Sequence, residues 1–499
     1  MNTDLTSARG AEQTQQSGTR RPSARWALAG LALSVLLSSL GTSIANVALP
    51  TLADAFTASF QSVQWVVLAY LLAITTLIVS VGRLGDLMGR RRLLLAGILL
   101  FSAASVVCGL APSLGVLIAA RAAQGLGAAV MMVLTMAFVG DTVPKERTGS
   151  AMGLLATMSA TGTALGPSLG GALISGLDWR AVFLVNVPLG IVALFLAHRH
   201  LPAGRPASGA ERRRPRFDHL GTLLLALTLG AYALAMTTGR DGFGVLNAGL
   251  VAAAALGAGL FVRVERRAAS PLVQPAVFRD PGLGASLAAS ALVSTVMMAT
   301  LVVGPFHLSR ALGLQAAAVG LVLSVGPLVA ALAGVPAGRI ADRFGAHRMT
   351  VAGLAAMAVG ALVLAALPRS LGVLGYVCPL VVVTAGYALF QTANTTAAMA
   401  DVRPDRRGGV SGMLNLSRNL GLITGASVMG AVFAFASGTS DITAAGAGAV
   451  ATGTRVTFAV AALLIVLALG LVLAVSRRTK LPVTAVSPAP PSRRCCNPR

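Results

Sequence analysis

Residues 82 to 92 form a short charged stretch, Gly-Arg-Leu-Gly-Asp-Leu-Met-Gly-Arg-Arg-Arg. It separates two long apolar runs. A related stretch, Gly-Arg-Ile-Ala-Asp-Arg-Phe-Gly-Ala-His-Arg, returns at residues 338 to 348, again between two apolar runs. Such self-similarity indicates that the chain consists of two related halves. Each half places the same acidic and basic turn between two apolar segments.

The composition excludes an ordinary soluble protein. Of the 499 residues, 55% are hydrophobic and 11% are charged, and the mean hydropathy is +0.79. These values lie outside the range of soluble domains. The net charge of +23 does not indicate nucleic-acid binding, because the arginines recur in every second connecting segment instead of forming one basic domain. We therefore expect a lipid bilayer as the surroundings and no nucleic-acid partner.

Apolar runs of membrane-spanning length recur along the chain. A helix needs about 20 residues to cross the hydrocarbon core, and helices satisfy their own backbone groups there. Fourteen runs meet this length, so the predicted fold is that of an all-α polytopic membrane protein. Their approximate bounds are 26–49, 62–81, 93–111, 115–139, 150–174, 180–197, 219–237, 244–262, 284–306, 315–337, 349–367, 372–398, 410–436 and 455–475.

The distribution of arginine predicts the orientation. Alternate connecting segments are rich in arginine, such as 90–92 and 199–216, whereas the others carry single arginines such as Arg310. Excess arginine marks the cytoplasmic side, so both termini are predicted to be cytoplasmic. Asp342 follows Asp86 by 256 positions, whereas the first six runs end near residue 200. Two additional central helices between two six-helix halves account for the difference.

Domain boundaries follow from these runs. We expect a disordered cytoplasmic tail at 1–25, an N-terminal six-helix half at 26–200, a basic cytoplasmic linker at 201–217, two extra helices at 218–263, a cytoplasmic connector at 264–283, a C-terminal six-helix half at 284–475 and a cytoplasmic tail at 476–499. The predicted location is a cell membrane. Two lysines against many arginines, with abundant alanine and glycine, point to a bacterial source.

The two charged stretches are candidate gates. The positions of interest in the first are Gly82, Arg83, Asp86, Gly89, Arg90 and Arg92. Those in the second are Gly338, Asp342, Arg343, Gly345 and Arg348. A carboxylate at a helix end can pair with arginine or with the positive end of another helix, which holds two halves together in one state and releases them in another. The alternative is that these charges only set the topology.

Polar residues inside the spans are a second set of candidates. Arg121 and Gln124 are three positions apart and share a helix face in the fourth run. An arginine in a membrane is costly and faces a cavity or a partner. Arg121 either tunes a proton acceptor, binds an anionic group or caps the carbonyls of a neighbouring helix. Further candidates for a central cavity are Asn46, Tyr387, Gln391, Asn394, Asn415, Arg418 and Asn419. The alternative for each amide is interhelical hydrogen bonding.

The fifth run contains closely spaced glycines and a proline. The positions are Gly162, Gly166, Pro167, Gly170 and Gly171. Small residues at every fourth position allow helices to approach closely, and proline removes a backbone donor and bends a helix.

Together these motifs resemble the major facilitator superfamily, and in particular its fourteen-spanner drug:proton antiporter branch. Asn-Val-Ala-Leu-Pro at 46–50 and Trp-Arg-x-x-Phe-x-x-Asn-Val-Pro at 179–188 extend the resemblance, which covers about residues 26 to 475. It implies a major facilitator fold and an exporter of small, largely apolar molecules that works by alternating access in exchange for protons. It also implies a monomer without cofactor or metal, with the glycine-proline run as the antiporter motif.

One departure bears on the substrate. The branch commonly has an aspartate in the first span, and Gly41 stands there in this chain. No acidic residue lies in the middle of any predicted span. We therefore expect neutral, zwitterionic or anionic substrates, because a membrane-buried carboxylate is the usual partner of protons and cations. Asp54, Asp86 and Asp178, all near span ends, are the candidates for proton coupling, and the alternative is a titrating group on the substrate itself.

Other functions are open at this point. A facilitator or an importer has the same fold, although the glycine-proline run favours export. A membrane-embedded enzyme would need a cluster of histidine and acidic residues within the spans, and the five histidines lie near span ends. A sensor would need a signalling domain, which we do not find. We expect a transporter and not an enzyme.

Overall fold

The computed structural model describes residues 24–78, 80–142, 148–201, 219–237, 244–267, 280–366, 371–400, 407–438 and 446–479. All regular elements within these ranges are helical. They are α1 (Ala24–Ala55), α2 (Phe60–Ile78), α3 (Val81–Met88), α4 (Arg90–Gly109), α5 (Leu114–Thr142), α6 (Thr148–Gly176), α7 (Ala181–Leu184), α8 (Asn186–His200), α9 (His219–Thr237), α10 (Val245–Glu265), α11 (Pro281–Phe306), α12 (Ala316–Phe344), α13 (Ala346–Ala365), α14 (Gly372–Ala400), α15 (Arg407–Thr424), α16 (Gly430–Ala436) and α17 (Ala447–Thr479). Single π-helical turns follow α11 and α15.

Fourteen spans can be traced through the described residues. Thirteen are long and apolar enough to cross a membrane, with α7 and α8 forming one span and α15 and α16 another. The fourteenth is α6, whose 29 residues are rich in glycine, serine and threonine and therefore less apolar. The prediction of an all-α polytopic fold with two additional helices is confirmed. The tails and connectors predicted at 1–25, 201–217, 264–283 and 476–499 lie largely outside the described residues, so those boundaries stay predictions.

The bundle has two ends that differ in charge. We call one end of the bundle the basic end. At this end Arg90 begins α4 and Arg343 lies in the last turn of α12. The opposite end is the one where Asp54 lies near the end of α1 and Arg310 follows α11.

An aromatic core joins the two six-helix halves at the opposite end. Phe60 of α2 packs edge-on against Phe306 of α11, with ring centroids 4.8 Å apart, and against Phe433 of α16 at 5.4 Å. The same buried cluster contains Leu49 from the first half and Val302 from the second. Aromatic pairs of this geometry contribute about 0.5–1.5 kcal/mol each beyond their burial. The halves are therefore held together firmly at this end.

At the basic end each half has its own core. Leu31, Leu94 and Phe138 belong to a buried cluster drawn from the N-terminal half. Leu283 and Met413 belong to another, drawn from the C-terminal half. The described buried clusters thus join the halves at the opposite end and keep them apart at the basic end.

The two additional helices lie beside the seam between the halves. Helix α9 runs antiparallel to α2 and is attached to it near both ends. Trp65 Nε1 donates a hydrogen bond to Thr237 Oγ1 at 3.0 Å, and the hydroxyls of Ser80 and Thr222 share a hydrogen bond at 2.8 Å. Leu229 of α9 enters the core that joins the halves. Helix α10 packs chiefly on α9, and only 11% of its spanning segment is buried.

Candidate functional site

Arg121 lies completely buried within the N-terminal half. Its Nε donates to the Val66 carbonyl at 2.9 Å and its Nη1 to Gln124 Oε1 at 2.6 Å. Gln124 Nε2 in turn donates to Ser105 Oγ at 2.8 Å. This network ties α2, α4 and α5 together. The interpretation of Arg121 as a cap for a neighbouring carbonyl thus has a direct counterpart in the hydrogen bond to Val66. The Arg121 side chain has no exposed surface in this conformation, so the expectation that it lines a cavity stays a prediction.

Tyr70 completes the surroundings of Arg121. The guanidinium carbon lies 4.1 Å from the centroid of the Tyr70 ring, a cation–π distance. The Tyr70 hydroxyl donates to the Ser38 carbonyl of α1 at 2.9 Å. Arg121 forms no ion pair with a described residue, and its Nη2 is buried without a hydrogen-bond partner. A buried cation is thus held by a ring face and neutral acceptors, although a carboxylate is the more usual partner.

Gly41 lies directly beside this network. A Cβ atom at residue 41 would stand 3.0 Å from the Tyr70 hydroxyl oxygen and 3.2 Å from the ring of Phe101. The position at which the branch commonly carries an aspartate therefore faces the tyrosine that stacks on Arg121.

The glycine-proline run of α6 packs against both halves of the bundle. Toward α1, a Cβ at Gly162 would lie 2.5 Å from the Leu36 carbonyl oxygen, and one at Gly166 would overlap Ser43. Toward α12 of the other half, a Cβ at Gly171 would lie 2.5 Å from the Ala316 carbonyl oxygen. Backbone approach of this kind requires glycine.

The same contact between the halves depends on Gly320 of α12. A Cβ there would overlap the carbonyl oxygen of Pro167, a backbone atom. Nearby, the backbone N–H of Ala317 donates to Ser175 Oγ at 3.0 Å. Helices α6 and α12 therefore touch backbone to backbone toward the opposite end. Sequence analysis identified the glycines on α6 but not their partner Gly320.

An ion pair bridges the halves at the opposite end. Arg310 Nη2 lies 2.5 Å from Asp54 Oδ1 and 2.6 Å from Asp54 Oδ2. The two residues are 256 positions apart, the same offset as Asp86 and Asp342, so they occupy equivalent places in the two halves. Sequence analysis proposed Asp54 for proton coupling but did not identify its partner, because the pairing depends on how the halves meet.

We expect this ion pair to favour the state in which the opposite end is closed. Because the side chains of Arg310 and Asp54 are 30% and 56% exposed, the coupling is at most about 1 kcal/mol, roughly a fivefold change in the balance of states. Asp54→Asn and Arg310→Gln should each shift that balance, and the exchanged pair Asp54→Arg with Arg310→Asp should restore it. A double-mutant cycle on transport rate is the measurement. Strictly additive effects would show that the pair has no such role.

Gln64 is a polar residue between the halves that sequence analysis missed. It is 1% exposed, and its Nε2 has no hydrogen-bond partner among the described residues. A Cβ at Gly430 of α16 would overlap that nitrogen. The sequence signal that could have identified Gln64 was the presence of a glutamine within an apolar run. The Gln64 side chain therefore fills the space beside Gly430 between α2 and α16.

The two charged stretches adopt the same backbone turn. Gly89 and Gly345 both have φ +88°, and their N–H groups donate to Gly85 and Ala341 carbonyls at 2.9 and 3.0 Å. Only glycine adopts this φ without strain. The arginines that flank these turns are exposed, namely Arg90, Arg92, Arg343 and Arg348. The side chains of Arg83, Asp86 and Asp342 lie outside what the structure describes, so their gating role stays a prediction.

Several residues proposed for the cavity are instead buried among helices. Asn46 is 1% exposed and its Nδ2 donates to the Thr42 carbonyl of its own helix at 3.0 Å. Asn394 is 3% exposed and donates to the Ser286 carbonyl of α11 at 3.2 Å. Asn419 is also buried. Interhelical hydrogen bonding, the alternative to cavity lining, is therefore seen for Asn394, whereas the bond of Asn46 stays within its own helix. The remaining candidates are half-buried or exposed, namely Tyr387, Gln391, Asn415 and Arg418.

The described residues contain no group of three or more histidine, cysteine or acidic side chains that could hold a metal ion. The arrangement instead consists of two helical halves, closed on each other at one end through glycine contacts, aromatic rings and an ion pair. Such a bundle is suited to rocking of one half against the other.

Comparisons with known proteins agree with this description. The family model of the Major Facilitator Superfamily matches residues 31–426. The chain is 33% identical over 419 residues to the uncharacterized transporter YebQ of Escherichia coli, covering 84% of this chain and 91% of that one. It is 34% identical to the multidrug resistance protein Stp of Mycobacterium tuberculosis, covering 81% and 74%. It is 32% identical to the multidrug efflux pump LfrA of Mycolicibacterium smegmatis, covering 86% and 85%.

A solved structure shares the fold. A bacterial homologue of the human lysosomal transporter Spinster, in an inward-facing and unoccupied conformation, superposes with a TM-score of 0.66 at 18% identity, covering 92% of this chain and 98% of that one. At this identity the likeness concerns the fold alone.

Proposed function

The chain belongs to the major facilitator superfamily, and from that premise we propose that it is a secondary active exporter of small, largely apolar organic molecules, driven by proton exchange. The basic end faces the cytoplasm in this proposal, in line with the excess of arginine there. The halves are closed on each other at the opposite end in this conformation, so the substrate path in this proposal opens at the basic end.

The observation that carries the proposal is the glycine contact between α6 and α12. Gly171 and Gly320 let the backbones of the two halves meet toward the opposite end, and the glycine-proline run that supplies this contact resembles the antiporter motif. The similarity to Stp and LfrA, both named for multidrug resistance or efflux, supports a drug-type substrate. Alternating access then requires that the contact open while the basic end closes.

Proton coupling is the second part of the proposal. The described spans carry no acidic residue at mid-membrane, so coupling falls to a carboxylate near a span end. Asp178 pairs with Arg180 two positions away, whereas Asp54 binds Arg310 across the halves, and for this reason we favour Asp54. Protonation of Asp54 from outside would remove the negative charge of that ion pair and favour opening of the opposite end.

Drug-susceptibility profiling tests the whole proposal. A sensitive bacterial host with the protein should tolerate higher concentrations of neutral apolar antibiotics than the host without it, and a protonophore should abolish the difference. Uptake into inverted vesicles under an imposed pH gradient gives the direct transport measurement. Resistance that persists with the gradient collapsed would contradict proton exchange, and no change in susceptibility or uptake would contradict drug export.

A separate prediction concerns the charged stretches. Asp86→Asn should lower transport at least about tenfold, whereas Asp342→Asn should have a small effect, because the second stretch has Ala341 and Ala346 where the first has Gly85 and Arg90. The ratio corresponds to about 1.4 kcal/mol. Transport in vesicles, normalised to the amount of each variant in the membrane, is the measurement. Equally small effects of the two substitutions would indicate that the charged stretches only set the topology.

A further inference from the structure

Helix α10 is the least enclosed part of the described structure. Its exposed apolar side chains include Val245 at 92%, Leu246 at 63% and Leu256 at 75%. The helix packs chiefly on α9, so most of its circumference faces the lipid in a membrane. A helix in this position has neighbouring lipids where other helices have neighbouring protein.

A groove follows one face of α10 toward the basic end. Its volume is about 610 Å³, and the residues that line it are Ala258, Gly259, Val262, Arg263, Arg266 and Arg267. They fall into three adjacent pairs, four positions apart, and so form one continuous stripe. The first pair is small and leaves a notch in the apolar surface, and the last two pairs supply three guanidinium groups.

The charge of this groove is positive. All three arginines are exposed, and none forms an ion pair with a described acidic residue. The neighbouring Glu265 is buried, with 2% of its surface exposed. Three guanidinium groups that form no ion pair with a described carboxylate are suited to bind a phosphate group, since guanidinium and phosphate form paired, charge-assisted hydrogen bonds.

The distance between the two parts of the groove matches a lipid. Gly259 and Arg266 are seven residues apart, which is about 10 Å along a helix. Basic pockets at the cytoplasmic ends of spanning helices bind anionic headgroups. We propose that this groove binds one molecule of an anionic glycerophospholipid, with its phosphate at Arg263, Arg266 and Arg267 and an acyl chain along Ala258 and Gly259. The lipid supplies α10 with a packing partner on the side where protein does not.

Native mass spectrometry of the purified full chain tests this site, with phosphatidylglycerol and phosphatidylcholine as probes. The unchanged protein should retain phosphatidylglycerol in preference. The triple variant Arg263→Gln, Arg266→Gln, Arg267→Gln should bind it at least about tenfold more weakly. A charge-matched control is Arg339→Gln, Arg343→Gln, Arg348→Gln, which removes three exposed arginines elsewhere at the basic end and should bind within twofold of the unchanged protein.

The variant Gly259→Leu distinguishes binding of a lipid from binding of a free anion. It fills the apolar part of the groove and leaves the three arginines unchanged. A Cβ at residue 259 meets no atom within 4 Å, so the leucine fits into the groove without disturbing the fold. It should weaken phosphatidylglycerol binding at least about threefold, and inorganic phosphate at matched ionic strength should not displace the lipid. Equal retention of both lipids, equal losses in the two triple variants, or displacement by phosphate with no effect of Gly259→Leu would each overturn the proposal.

Discussion

Gly320→Ala should abolish most of the transport, because a single added methyl group prevents the opposite end from closing. The Cβ would overlap the backbone carbonyl oxygen of Pro167, and a backbone atom in a packed helix cannot move aside as a side chain can. Overpacking costs about 1–3 kcal/mol, which reduces the closed state by roughly fivefold to more than a hundredfold. Alanine is the better helix former, so the loss cannot come from helix propensity.

Gly334→Ala is the matched control for this prediction. It makes the same change in the same helix, at a position where a Cβ meets no atom within 4 Å, and it should transport normally. The four native cysteines are first replaced, and a cysteine is then introduced at Leu49, which is completely buried in the core that joins the halves. Its labelling reports whether the opposite end is open or closed. An impermeant maleimide should label it faster in Gly320→Ala than in Gly334→Ala. Equal labelling and equal transport in both would show that the contact does not govern closure.

The second large effect concerns substrate charge. The unchanged protein should export neutral antibiotics but not a lipophilic cation such as ethidium, because Arg121 has no carboxylate partner among the described residues. At an effective dielectric constant of 20, two unit charges about 8 Å apart repel each other by roughly 2 kcal/mol, which weakens binding of a cation about thirtyfold. Gly41→Asp should relieve this repulsion, since its carboxylate would lie beside Tyr70, whose ring carries the guanidinium at 4.1 Å.

Gly41→Asn separates charge from size in this experiment. The asparagine meets the same contacts, at 3.0 Å from the Tyr70 hydroxyl and 3.2 Å from Phe101, but adds no charge. Ethidium efflux should rise at least about tenfold in Gly41→Asp relative to Gly41→Asn, with export of neutral drugs reduced equally in both by the tight packing. Robust proton-driven ethidium export by the unchanged protein would contradict the assignment of a neutral or anionic substrate.

The sequence determined which segments are helices and where glycine is needed in the turns. Fourteen apolar runs of about 20 residues have one solution in a lipid bilayer, so helix number and type follow from composition and length. The repeat of the charged stretch predicted two equivalent halves, and Gly89 and Gly345 do adopt the same left-handed backbone conformation. These properties are local, since each depends on residues adjacent in the chain.

The tertiary structure decided what the polar residues do. The sequence left Arg121 open between a cavity role and capping of a carbonyl, and only the packing of Tyr70 and Val66 around it shows the carbonyl bond of this conformation. Asn394 is bonded to α11 for the same kind of reason. Gly320, Gln64 and the pairing of Asp54 with Arg310 could not be identified in advance, because each depends on how two halves that are distant in the sequence meet. The periodicity of a helix predicts which residues share a face, whereas close packing between helices determines what that face contacts.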